Sequence, residues 1–133
     1  MIEQTLSIIK PDAVERNLEN DIKNFFEKNN LVISKSKKVK ISREEASEFY
    51  KVHQTKPFYN NLCNYLSSGP VVVMILEGEG AISKNRRLMG STDPKKAEEG
   101  TLRKMYGLSI DKNSVHGSDS VENAKIEINF FFK

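Results

Sequence analysis

The 133 residues carry 38% hydrophobic and 29% charged side chains, an ordinary balance for a globular protein that argues against long disorder. The net charge of +3 suits an anionic ligand but excludes the strongly basic surface expected of a dedicated nucleic-acid binder. This length predicts a single domain over residues 1–133. The single Cys63 excludes an internal disulfide, and neither a signal peptide nor a membrane-length apolar run is evident, so a cytoplasmic protein without a membrane partner is predicted.

The first third of the chain has two strand patterns separated by a helix pattern. Residues 5–9 are apolar and rich in β-branched side chains, which predicts a strand ending at Lys10-Pro11. Asn20 is a candidate N-cap for a helix that ends near residue 30. Residues 31–41 predict a second strand, whose lysines indicate a solvent-exposed face.

Helices and a buried strand follow in the middle of the chain. Ser42 and Glu45 have the spacing of a capping box, which predicts the start of a helix. Pro57 breaks that helix and separates it from a second one, so the pair forms a helical hairpin. Residues 71–76 form an unbroken apolar run typical of a strand covered on both faces. Residues 81–89 predict another helix after a glycine-rich turn.

The last third is dominated by a long polar segment. Residues 90–113 predict a loop with at most a short helix around 101–105, and a loop of this length in a small domain is usually functional. Residues 115–116 predict a short strand. Residues 120–128 predict the final helix, followed by the phenylalanines at 130–132 as a docking tail.

The order of these elements indicates the fold class. Strands flanked by helices without strict alternation are typical of an α+β sandwich. The architecture that fits best is a ferredoxin-like four-stranded antiparallel sheet with flanking helices and an inserted helical hairpin.

The segment Asn113-Ser114-Val115-His116-Gly117-Ser118-Asp119 is the strongest candidate for chemistry. Imidazole is a good nucleophile near neutral pH because its ordinary pKa is about 6.5. Gly117 lacks a side chain, so a substrate or another backbone segment could come close to the histidine. A histidine and glycine alone would be more typical of a surface turn.

Cations recur within and just before the long loop. Guanidinium groups match phosphate oxygens, so such a cluster near a histidine suits a polyphosphate. Each cation taken alone is more typical of a solvated surface loop. The cluster comprises Arg86, Arg87, Lys95, Lys96, Arg103, Lys104 and Lys112.

The complete segment resembles the active-site signature Asn-x-x-His-Gly-Ser-Asp of nucleoside diphosphate kinases. Further motifs similar to those of the family occur in the same order, so the resemblance covers essentially the whole chain. They are Thr-Leu-Ser-Ile-Ile-Lys-Pro-Asp at 5–12, Lys-Pro-Phe at 56–58, Ser-Gly-Pro-Val at 68–71, Asn-Arg at 85–86, Gly-Ser-Thr-Asp-Pro at 90–94 and Gly-Thr-Leu-Arg at 100–103.

The resemblance implies a ping-pong phosphotransferase that accepts nucleoside di- and triphosphates with broad base tolerance. His116 would take the γ-phosphate, Glu127 would accept a hydrogen bond from the other ring nitrogen, and Ser118 would support the phosphorylated ring. Phosphates and ribose would be bound by Lys10, Tyr50, Arg86, Thr92, Arg103 and Asn113, of which Lys10 and Tyr50 also belong to the catalytic group. The base would be held by Phe58, Leu62 and Ile110.

Mg²⁺ is the expected cofactor, carried on the nucleotide phosphates, because no Asp/Glu cluster indicates a metal cage. Asp12 and Asp119 could touch the metal through water. A local interpretation is favoured for each, with Asp12 as a turn residue after Pro11 and Asp119 as the cap of the last helix. Members of the family are tetramers or hexamers, so the resemblance implies a homo-oligomer of either size.

Two other functions also fit a small α+β domain. An RNA-binding module is weakened because no aromatic-rich RNA-binding signature lies on a strand. A catalytically inactive regulator is weakened because every residue expected to contact phosphate is present. Lys104-Met105 depart from the family, where a small residue and Asp are usual, which bears on how the long loop is pinned. His53 is interpreted as a packed helix histidine.

Overall fold

Four antiparallel strands form one sheet, in the order β2-β3-β1-β4, in the computed structural model, which describes residues 2–110 and 112–132. Met1 and Lys133, the ends of the predicted domain, lie outside the described residues. The elements are β1 (Ile2–Ile9), α1 (Pro11–Glu15), α2 (Glu19–Lys28), β2 (Val32–Lys40), α3 (Arg43–Phe49), α4 (Tyr59–Leu66), β3 (Pro70–Glu79), α5 (Ala81–Met89), α6 (Leu102–Tyr106), β4 (Val115–Gly117) and α7 (Val121–Phe131). The predicted ferredoxin-like α+β fold with an inserted hairpin, α3–α4, is confirmed.

The central strand β3 is buried from Val71 to Leu76, as its apolar run predicts. Alternate side chains of β3 enter two separate cores, one on each face of the sheet. Met74 and Leu76 pack in the core that contains Phe26 of α2, whereas Val71 and Val73 pack in the core under α3, α4 and α7. Each fully buried large apolar side chain contributes roughly 1.5–3 kcal/mol to folding.

The capping box of α3 is present with both of its hydrogen bonds. The Glu45 amide donates to Ser42 Oγ at 3.0 Å, and the Ser42 amide donates to Glu45 Oε1 at 3.0 Å. The helix ends at Phe49, earlier than the predicted break, and residues Lys51–His53 form a 3₁₀ turn. Pro57 cannot continue an α-helix because its ring would clash with the carbonyl four residues earlier, and it lies between this turn and α4.

Several helix ends differ from the sequence prediction. Asn20 is exposed inside α2, and Leu18 occupies the N-cap. Ser120, rather than Asp119, caps α7, because its Oγ accepts a hydrogen bond from the Asn123 amide at 3.1 Å.

The aromatic end of the chain also differs from its predicted form as a tail. Phe130 and Phe131 belong to the last turn of α7. The Phe130 ring centroid lies 5.9 Å from that of Phe49, and the Phe131 centroid lies 5.3 Å from it. Because Phe131 is buried, the helix continues past the predicted end at residue 128.

The structure contains two short elements that the sequence did not predict. The helix α1 begins with Pro11 at its first turn, a position where the missing amide proton costs nothing. A 3₁₀ turn also spans Pro94–Lys96 within the long loop. None of the helices within residues 2–110 and 112–132 has the length and apolar character needed to cross a membrane.

Candidate active site

His116 lies on the edge strand β4, opposite Ile8 of β1, and faces α3 and α7. Its Nε2 is 3.2 Å from Glu127 Oε1. A carboxylate can only accept hydrogen bonds, so Nε2 carries the ring proton and the lone pair is left on Nδ1. The ring of Phe49 packs edge-on against the imidazole with centroids 5.3 Å apart and limits its rotation from the other side.

Ser118 reaches His116 through Glu127. Its Oγ donates to the same Glu127 Oε1 at 2.7 Å and accepts from the Leu6 amide at 3.2 Å. Ser118 is fully buried, so its hydroxyl is anchored to β1. Glu127 therefore does not face solvent freely from its helix. Its carboxylate accepts hydrogen bonds from His116 Nε2 and Ser118 Oγ, which hold it beside the imidazole.

A cleft of about 560 Å³ opens beside His116 and gathers the predicted nucleotide-binding residues. These residues are far apart in the chain and come from β1, the hairpin, α5, α6 and the long loop. Lining the cleft are Lys10, Tyr50, Phe58, Leu62, Arg86, Thr92, Arg103, Ile110 and Asn113.

Lys10 and Asn113 form a buried pair at one wall of the cleft. Lys10 follows β1 directly, and its Nζ donates to Asn113 Oδ1 at 2.9 Å. The Asn113 side chain in turn donates to the Thr92 carbonyl at 3.1 Å. These bonds connect the two ends of the long loop to the sheet.

Arg103 links the same loop to β4 and to the end of α5. Its Nη1 donates to the Gly90 carbonyl at 3.0 Å and its Nη2 to the Val115 carbonyl at 2.9 Å. Burial, followed by the neighbouring Arg86, lowers the pKa of Arg103 to about 10, so the guanidinium is still charged at neutral pH. Gly90 has φ +85°, and a Cβ there would lie 2.5 Å from Thr101 Oγ1, so glycine is required.

The remaining walls combine a buried phenol with exposed apolar groups. Burial raises the pKa of Tyr50, which keeps its hydroxyl protonated and able to donate. Phe58 is 41% exposed and Ile110 is 56% exposed, so both can contact a ligand, and Leu62 is half-buried beside them.

Residues outside the predicted nucleotide-binding set also line the cleft, namely His53, Met89, Gly117 and Asp119. His53 is not a packed helix histidine, because it lies half-buried in a 3₁₀ turn, with its ring 5.8 Å from that of Phe58. In the sequence, His53 precedes Phe58 by only five residues, and this short spacing from a predicted base-binding residue could have indicated that His53 lies at the cleft. Desolvation, with a further contribution from Lys56, lowers the pKa of His53.

Gly117 makes room for protein side chains instead of substrate. A Cβ at this position would collide with Nδ2 of Asn85 and would lie 2.8 Å from Cε of Met89, both on α5. Glycine therefore allows α5 to approach β4 closely, which brings Arg86 to the side of His116.

The two carboxylates considered for metal contact differ in location. Asp12 is 5% exposed and is turned toward Ser114 and Tyr65. Asp119 is exposed at the cleft, where a hydrogen bond from Asn123 lowers its pKa. Among the residues that the structure describes, no group of three His, Cys, Asp or Glu side chains could hold a metal ion.

Comparison with known proteins identifies relatives along the whole chain. The family model described as nucleoside diphosphate kinase matches residues 3–133. A nucleoside diphosphate kinase of Campylobacter jejuni (strain RM1221) is 58% identical over 132 residues, which are 99% of this chain and 96% of the relative. One of a Nitratiruptor species is 56% identical over 131 residues, covering 98% and 96%. An orthorhombic crystal form of the Aquifex aeolicus nucleoside diphosphate kinase superposes with a TM-score of 0.97 at 40% identity, covering 100% of this chain and 96% of that one.

Proposed function

The chain belongs to the nucleoside diphosphate kinase family, and we propose that His116 is the residue through which it moves phosphate. It is an enzyme that transfers the γ-phosphate of a nucleoside triphosphate to a nucleoside diphosphate through a phosphohistidine. The observation that carries the assignment is the contact between Glu127 and Nε2, which leaves the lone pair of a cleft-lining imidazole on Nδ1. The test is to incubate the protein with labelled ATP, denature it, and measure whether it carries phosphate that is stable in base and labile in acid.

The proposed reaction consists of two in-line displacements. Nδ1 of His116 forms a bond to the γ-phosphorus as the bond to the bridging oxygen breaks and the diphosphate leaves with those electrons. A terminal oxygen of the second diphosphate then attacks the same phosphorus and expels the imidazole. Such a transition state spreads charge over the phosphoryl oxygens, so fixed cations stabilise it. Lys10, Arg86 and Arg103 supply three of them around the cleft.

Glu127 is proposed to fix the ring, with Ser118 supporting the carboxylate. We expect Glu127→Gln to lower kcat by about tenfold, the lower end of the cost of losing a partner that orients a metal-bound histidine. The amide oxygen can still accept from Nε2, whereas Glu127→Ala leaves the ring without its partner and should be slower. Single-turnover phosphorylation by ATP measures the step directly. Equal rates for the parent and both variants would mean that Glu127 does not orient the imidazole.

Phe58, Leu62 and Ile110 are proposed to hold the base without reading its identity. None of these side chains carries a polar group that could select one base edge. Stacking on Phe58 should contribute roughly 1–3 kcal/mol for any base. We expect Phe58→Ala to raise KM for adenine, guanine, cytosine and uracil diphosphates by similar factors. A penalty confined to one base, or a preference of orders of magnitude in the parent, would reveal a polar reader.

Mg²⁺ is proposed to enter on the nucleotide phosphates, where it would neutralise part of their charge. The donors around the cleft are mainly cationic or neutral, which suits an anionic ligand that brings its own metal. We expect activity to require a divalent cation while the protein alone binds Mg²⁺ with a Kd in the millimolar range or weaker. Calorimetry with MgCl₂, with and without ADP, checks this. Tight binding without nucleotide would contradict it.

The proposal includes a homo-oligomer, a tetramer or a hexamer, built from one domain over residues 1–133 in the cytoplasm. Several apolar side chains are more than half exposed and would gain stability if another subunit covered them. Among the described residues they are Ile2, Val32, Leu108 and Ile126, besides Ile110 in the cleft. The mass from light scattering distinguishes the two assemblies from a monomer.

A further inference from the structure

Ser114 adopts a left-handed backbone conformation between Asn113 and the strand that carries His116. Its φ is +75°, and the Val115 amide donates to the Asn113 carbonyl at 2.9 Å across it. A hydrogen bond that spans one residue at positive φ has the pattern of the rare, strained γ-turn. A residue with a Cβ persists in such a conformation only when its surroundings hold it there.

Asp12 supplies the side-chain contact that holds Ser114. Ser114 Oγ donates to Asp12 Oδ2 at 2.9 Å, in a buried position 102 residues away in the chain. Arg16 Nη2 lies 3.3 Å from Ser114 Oγ and 3.1 Å from Asp12 Oδ2, which closes a triangle. The Lys10 amide donates to the Ser114 carbonyl at 2.8 Å. The serine is therefore fixed through both its backbone and its side chain.

Asp12 is itself immobilised from two other elements. The Tyr65 hydroxyl on α4 accepts from the Asp12 amide at 2.9 Å and donates to Asp12 Oδ1. Burial, with a further contribution from this bond to Asp12, raises the pKa of Tyr65, so the phenol keeps its proton. Arg16 also donates to the Tyr106 carbonyl on α6 at 2.6 Å. The aspartate thus joins α1, α4 and the end of α6 around the strained turn.

We propose that Asp12 is a positioning residue for nucleotide binding, which holds Ser114 left-handed and so keeps Asn113 against Lys10. The turn directs Asn113 toward Lys10 Nζ, 2.9 Å away, while the next residue enters β4. This inference rests on the proposed function, because it takes Lys10 and Asn113 to be nucleotide-binding residues. Asp12 has no contact with substrate in this role and no part in metal binding.

The test exploits the difference between glycine and alanine at residue 114. Glycine adopts positive φ without steric cost, so Ser114→Gly needs less support from Asp12, whereas Ser114→Ala keeps the Cβ and loses the hydroxyl. We expect Ser114→Ala to raise the Kd of Mg·ADP about tenfold, the effect of one hydrogen bond to a charged group, and Ser114→Gly to raise it clearly less. Calorimetry measures both.

The second arm is a rescue. Asp12→Ala should also raise the Kd and the KM about tenfold while kcat at saturation changes little. Adding Ser114→Gly should recover most of the affinity, whereas adding Ser114→Ala should not. The loss of thermal stability caused by Asp12→Ala should persist in both double variants, because Tyr65 and Arg16 still lack their partner.

Equal Kd values for the glycine and alanine variants would overturn the proposal, and so would an unchanged Kd in Asp12→Ala. If Asp12→Ala does not fold, the two single variants at residue 114 still decide the question. Phosphorylation of His116 in the parent chain, measured separately, reports on the proposed function. The ratio of Kd values requires no turnover, so the two failures are distinguishable.

Discussion

His116→Ala abolishes phosphate transfer in our expectation, lowering kcat by about 10⁴-fold or more, while the protein stays folded. Removal of a covalent nucleophile eliminates the route itself, and effects of this size are known for nucleophiles in other enzymes. The side chain is 22% exposed and packs edge-on against Phe49, so truncation loses this contact and should lower the Tm without preventing folding. The measurement is the base-stable label left on the protein by ATP radiolabelled at its γ-phosphate, together with steady-state rates.

The matched control for this variant is His53→Ala, which changes the one other histidine in the sequence. It should still acquire the label, even if its location in the cleft alters the rate. Circular dichroism and the Tm establish that both variants are folded. A folded His116→Ala protein that carries base-stable phosphate through turnover would disprove the assignment.

Arg103→Lys should cause the second-largest effect, because the guanidinium is proposed to stabilise transferred phosphate and also bridges two carbonyls. One ammonium cannot reproduce its bonds to Gly90 and Val115 at 3.0 and 2.9 Å. We expect kcat/KM to fall by about 10²- to 10³-fold, as when one preorganised transition-state donor is removed. Unfolding should become easier by about 1–3 kcal/mol, since a buried carbonyl loses its donor.

Arg87→Lys is the control for Arg103→Lys, because Arg87 is an exposed arginine on α5 outside the cleft beside His116. It should leave both stability and kcat/KM within about twofold, the usual range for a surface substitution. Urea denaturation and steady-state kinetics compare the two variants. If Arg103→Lys retained parental kcat/KM, the positive charge alone would be sufficient, and the two-nitrogen geometry of the guanidinium would have no catalytic role.

The sequence predicts most of this fold because several elements have strong local patterns. The short, β-branched apolar run 71–76 is typical of a buried strand, and the helix 81–89 is observed with the predicted bounds. The short helix α1 has no such signal. It spans five residues and is held by contacts with residues distant in the chain, such as Tyr65 and Ser114.

The candidate site shows the same division between local and distant information. Family motifs identify the residues around the cleft, and the structure brings them together. The role of Asp12 depends on Ser114, which lies 102 residues away, so no pattern near Pro11 could reveal it. From the sequence, Gly117 predicts room for a substrate beside His116. In the structure Asn85 and Met89 of α5 fill that room, and the approach of α5 to β4 depends on tertiary contacts that no local pattern shows.

The proximity of Arg86 to Arg103 couples the enzyme's resistance to heat to the supply of its substrate. Burial lowers the pKa of the Arg103 guanidinium, and the positive charge of the neighbouring Arg86 lowers it further. An empty cleft therefore carries an electrostatic cost that a polyphosphate relieves on binding. Ligand at a hundredfold excess over Kd stabilises a native state by about 2.7 kcal/mol through mass action alone. A cell rich in nucleotides would thus protect this protein from unfolding, and starvation would expose it to proteolysis.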